Sequence, residues 1–156
     1  MSRQRLLLVA ASLLVALGAA GGAAAENVVG YARAVLIPGI ARLQALDLAS
    51  NAPCARERYV ACALALRAEA VAAGKLRARL ARPPASLAKP VGALRTGLNT
   101  LVTSLETAAA VSSRRRTIGT SALTRRFDLA FQALNGAIQR IDQLMPPQSR
   151  VPTFLP

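Results

Sequence analysis

Histidine and tryptophan are absent from this 156-residue chain, and aromatic residues make up only 3% of it. Histidine is the usual general base near neutral pH and the commonest transition-metal ligand. Its absence excludes Ser-His-Asp and Cys-His catalysis, histidine-based zinc sites and the C-x-x-C-H attachment of c-type haem. It also excludes the Glu-x-x-His motif of di-iron bundles. Acidic residues are few, 7 against 20 basic ones, and no glycine-rich phosphate loop follows a strand. No alternating strand pattern occurs. No metal site and no cofactor are expected.

What is present begins with the first 25 residues. Arg3 and Arg5 precede a charge-free apolar run, Leu6 to Leu17, and a run of small residues ends in Ala23-Ala24-Ala25. That order predicts a secretory signal peptide over 1–25, cleaved after Ala25. The alternative is an uncleaved anchor, because residues 6–25 are about as long as the ~20 residues that cross a bilayer. The expected location is therefore outside the cytoplasm: periplasmic, cell-wall-associated or secreted, or else membrane-tethered.

The remainder reads as one all-α domain, residues 26–145, followed by a Pro-rich tail at 146–156. A first helix over 26–50 has Val29, Ala32, Leu36, Ile40, Leu43 and Leu46 on one face, with a kink or late start at Pro38 and a break at Ser50-Asn51-Ala52-Pro53. A second, over 56–82, turns Tyr59, Cys62, Leu66, Ala70, Ala73, Leu76 and Leu80 inward and stops at Pro83-Pro84. A third, over 86–111, has the clearest seam: Leu87, Val91, Leu94, Leu98, Leu101, Leu105 and Ala108, alternately four and three apart. A fourth, over 121–145, buries Leu123, Phe127, Ala130, Leu134, Ile138, Ile141 and Met145. Four such faces predict an up-and-down four-helix bundle. The tail is expected to be extended or loose, with Val151, Phe154 and Leu155 as its only apolar points.

Cys54 and Cys62 are the only cysteines. In an exported chain an even count favours a disulfide. Eight residues along one helix would hold them about 12 Å apart, beyond the roughly 5.5 Å a disulfide spans, so Cys54 is expected to leave the axis of the second helix. Free buried thiols and an intermolecular bridge are the alternatives. The spacing is not that of a C-x-x-C redox pair.

Net charge is +13, carried mostly by arginine. An up-and-down bundle would gather Arg56, Arg58, Arg114, Arg115, Arg116, Arg125 and Arg126 at one end. Guanidinium forks suit phosphate and carboxylate, so this pole is a candidate anion-binding site; the competing reading is a solvated basic loop in a chain whose arginine excess follows codon bias. Lys75, Arg79 and Arg82 form a second stripe on the outer face of the second helix, read as a solvated face because the other residues of that face are alanines, with no Phe or Leu to insert. Glu69, near an inner face, is the one candidate acid; it could meet Glu106 or Asp128 as a pair, or be neutralised by an arginine. The favoured function is a non-catalytic binding module for an anionic envelope polymer, lipid head group or partner protein. The alternatives are an assembly protein acting through helix pairing, and a membrane-tethered bundle. Nucleic acid is a poor partner, since no stacking aromatics lie among the arginines.

Overall fold

A computed structural model describes residues 27–115 and 121–154. The signal-peptide or anchor segment, Arg116 and Leu155 lie outside the described residues. Four helices follow one another: α1, Ile37–Ala55; α2, Tyr59–Arg79; α3, Ala88–Ser113; and α4, Ser121–Asp142. No strand occurs among the described residues, and the fold is an all-α helical bundle. No helix among them is long and apolar enough to cross a membrane.

Helical structure begins ahead of α1, at 27–31, and passes through a π-helical segment, Ala32–Leu36, directly before Pro38. A π turn changes the backbone register locally; the α-helix proper starts at Ile37 with Pro38 in its first turn, which matches the expected late start, and the π segment precedes it. The break expected at Ser50-Asn51-Ala52-Pro53 does not occur. Proline removes one backbone bond, and within the last turn that loss does not stop α1 from reaching Ala55. The helix ends instead at Ala55 and is closed by Glu57, which takes the left-handed conformation at φ 52°. Arg58 N–H donates to Pro53 O at 2.9 Å and Glu57 N–H to Cys54 O at 3.2 Å, the paired bonds of a Schellman cap. α3 closes in the same manner, with Arg115 at φ 54° and its N–H on Ser112 O at 2.9 Å. Both residues sit where glycine is usual.

The expected faces form the core. Leu87, Val91, Leu94, Leu98, Leu101, Leu105 and Ala108 of the third seam are all buried, as are Leu36, Ile40 and Leu43 of the first. Val28 is buried in place of the expected Val29, because the π segment shifts the helical phase. Ser112 Oγ donates to Tyr59 O at 2.8 Å, tying the end of α3 to the start of α2. This bond places the C-terminal end of α3 beside the α1–α2 turn.

α1 packs on α2, α2 on α3 and α3 on α4, whereas α1 and α4 scarcely touch. The C-terminal segment lies in the seam between them, so the expectation of a loose tail is corrected. Gln44 of α1 donates to Thr153 O at 2.6 Å, and Asp142 Oδ1 accepts from Val151 N–H at 2.8 Å. Val151 and Phe154 are buried in the common core, and the Phe154 ring lies 5.7 Å from that of Phe131. The segment carries three prolines, Pro146, Pro147 and Pro152, and turns through a short 3-10 helix at Pro147–Ser149; its burial comes from apolar surface that α1 and α4 leave uncovered.

Candidate functional site

Cys54 and Cys62 are joined by a disulfide, with their Cα atoms 4.7 Å apart. The pairing is as expected, but the route differs. Cys54 stays helical, in the last turn of α1, and Cys62 stands in the first turn of α2. The bridge staples two helices across a tight turn.

Of the arginines expected at the pole next to this bridge, all but Arg116 are described. Arg56 is the C-cap of α1, Arg58 the N-cap of α2 and Arg114 the C-cap of α3, and all three are exposed, as is Arg115. Arg125 and Arg126 are exposed on the second turn of α4. The topology brings the two turns together, but none of these arginines lines any of the three cavities described below.

Lys75, Arg79 and Arg82, the stripe read as a solvated face, are exposed, and two of them also border a groove. A groove of about 790 Å³ runs between α1 and α2, lined along α1 by Pro38, Gly39, Arg42 and Leu46 and along α2 by residues from Arg67 to Arg79. Its floor includes Leu46, Val71 and Leu76; its basic residues are Arg42, Arg67, Lys75 and Arg79, and no carboxylate lines it. Arg67 also donates to Ser113 Oγ at 3.1 Å. Val71 and Leu76 belong to α2 itself, on the side of the stripe that faces α1, and Leu46 comes from α1. Arg82 is exposed and does not line the groove. A smaller depression of about 550 Å³ between α2 and α3 contains Arg77, Arg95 and Asn99, and Arg77 is hydrogen-bonded to the Asn99 side chain.

Glu69 is 1% exposed, and its Oε2 has no hydrogen-bond partner. It meets neither Glu106 nor Asp128, both of which are exposed, and no arginine among the described residues neutralises it. Its charged neighbour is Asp47 of α1. Burial, reinforced by the Asp47 carboxylate, pushes the Glu69 carboxyl up to about 8. Burial also raises Asp47. Sequence spacing placed Glu69 beside the inner face but could not find Asp47, because the pairing depends on the angle at which α1 crosses α2. Among the described residues no group of three or more histidine, cysteine, aspartate or glutamate side chains is placed to hold a metal ion.

Comparison with protein-family models, curated proteins and solved structures finds no match to this chain. The class rests on the fold itself, an all-α four-helix bundle stapled at Cys54–Cys62.

Proposed function

We propose that this chain is an exported, non-catalytic binding module that holds an anionic amphiphile of the cell envelope in the α1–α2 groove. The observation that carries the reading is the groove's composition: an apolar floor with four basic side chains and no acidic one. An acyl chain would cover Leu46, Val71 and Leu76, and a phosphate or carboxylate head would meet Arg42, Lys75 and Arg79. Apolar burial supplies affinity of roughly 25 cal/mol per Å², while guanidinium forks select the anionic head. Ligand sites commonly occupy roughly 300–1,000 Å³, a range that includes this groove. The arginines of the pole would add attraction to an anionic surface, weakening with salt. Export rests on the pattern of residues 1–25.

The test compares monomeric lysophosphatidylglycerol and lysophosphatidylcholine of the same acyl length by calorimetry. The anionic lipid should bind at least about tenfold more tightly, equivalent to about 1.4 kcal/mol. Lys75→Glu should erase that preference and Val71→Asp should abolish binding of both. Equal binding of the two lipids, unchanged by either substitution, would overturn the reading.

A second reading, assembly through helix pairing, draws on one observation. Val60, Leu64 and Val71 of α2 are 69%, 60% and 57% exposed at spacings that share a helix face. A molar mass that rises with concentration in sedimentation, and falls to that of one chain in Leu64→Glu, would favour it.

A further inference from the structure

Between α1, α2, α3 and α4 lies a cavity of about 320 Å³, separate from the α1–α2 groove. Asp47, Ser50 and Asn51 of α1 line it together with Glu69 of α2; Leu105 and Ala108 of α3 and Phe127 and Phe131 of α4 supply apolar wall. The disulfide residue Cys54 borders it. It exists because α1 and α4 do not pack on each other, and the C-terminal segment fills their seam only as far as Phe154, against Phe131. Asn51 is exposed and Asp47 half-buried, so the opening lies on the α1 side, while Glu69 is fully buried.

We propose that this cavity is a binding site for a small organic cation, an ammonium group on a short apolar body, with the ammonium held by Glu69 and Asp47 and the body against Phe127 and Phe131. Three features argue for that chemistry. The two titratable lining groups are both carboxylic acids; the residues facing them from α3 and α4 are uncharged. One buried oxygen, Oε2 of Glu69, has no partner among the described residues, and buried polar groups without partners are rare and costly. An ammonium carries donors that carboxylate oxygens can only accept, and its charge opposes theirs. The Ser50 hydroxyl donates to Asp47 O at 2.8 Å, so its proton does not serve Glu69.

The two phenyl rings, stacked with centroids 6.4 Å apart, offer the apolar and cation–π surface that favours an organic cation. A divalent metal ion is a poorer fit, since calcium takes 6–8 oxygen ligands and no cluster of three candidate ligands exists among the described residues. The volume falls at the small end of ligand cavities, suiting a short amine. Binding would require ionised Glu69, so a proton leaves Glu69 as the cation enters. Since burial holds that carboxyl up to about 8, affinity should climb with pH toward that value.

The probe is phenethylammonium, titrated by calorimetry into the disulfide-intact protein at physiological salt, with neutral 2-phenylethanol as the control. The amine should bind at least tenfold more tightly than the alcohol. Its apparent affinity should rise by up to about tenfold per pH unit below pH 8, with proton release seen as a dependence of heat on buffer. Glu69→Gln should remove the pH dependence and weaken the amine at least tenfold without weakening the alcohol. Asp47→Asn, at a half-buried position, should weaken the amine in the same direction and provides a second variant. No amine binding, equal binding of amine and alcohol, or amine binding unchanged in both variants would overturn the assignment. The groove reading is tested separately, because it responds to Lys75→Glu and Val71→Asp, and neither residue lines this cavity.

Discussion

Asn135 holds the backbone of Phe154 at both polar groups: its Nδ2 donates to Phe154 O at 3.0 Å, and its Oδ1 accepts from Phe154 N–H at 2.8 Å. One amide side chain on α4 thus reproduces the pairing a neighbouring strand would give, and the segment it holds occupies the gap between α1 and α4. Replacing it by alanine leaves both backbone groups in a partly buried setting without that partner. Asn135→Ala should cost about 1–3 kcal/mol in urea unfolding, and a chain ending at Pro152 should lose at least as much because Phe154 leaves the core. Wild-type stability in both variants would mean that the tail does not close the bundle in solution.

Glu69 makes stability depend on pH in an unusual direction. Its folded carboxyl is raised from 4.5 to about 8, so between those values the folded chain binds a proton that the unfolded chain does not. The contribution is fully present below about pH 4.5 and is lost as pH rises through about 8. The slope is at most about 1.4 kcal/mol per pH unit. Asp47, raised in the same sense, steepens the acidic part. Glu69→Gln imitates the protonated acid and should flatten the profile, leaving the variant more stable than wild type at pH 8. Denaturant midpoints at several pH values measure this; a wild-type curve that rises from pH 5 to 8 would contradict it.

Two glycines should respond oppositely to the same change. At Gly97 an added Cβ would meet Leu134 Cδ2 at 2.9 Å and Leu134 N at 3.4 Å, because α3 and α4 approach closely there. At Gly74 nothing lies within 4 Å. Alanine is preferred over glycine in a helix by about 1 kcal/mol, so Gly74→Ala should raise the thermal midpoint. Gly97→Ala should lower it, since overpacking costs typically about 1–3 kcal/mol.

The Cys54–Cys62 bridge closes a short loop across the α1–α2 turn. Loop-closure entropy gives about 2.5 kcal/mol for a loop of this size. A Cys54→Ala, Cys62→Ala double variant should unfold at correspondingly lower denaturant and retain its helical circular dichroism, because the seams of α2, α3 and α4 bury themselves without it. Loss of all helicity at neutral pH would show that the bridge is required for the fold.

Periodicity by itself determined the helices, most of their inward faces and the all-α class. An apolar residue every three or four positions can be buried only along one face of a helix, and the third seam from Leu87 to Ala108 left no other reading. Composition excluded histidine chemistry, and the cysteine pair was legible from its even count. Tertiary structure alone decided three things. It carried α1 through Pro53, because one missing backbone bond in a last turn is a small loss against the cap at Glu57. It drew the C-terminal segment into the bundle, because α1 and α4 diverge and leave apolar surface that Val151 and Phe154 cover. It also paired Glu69 with Asp47, and Lys75 with the floor supplied by Leu46. Such pairings depend on how two helices cross, and no spacing within one helix encodes that.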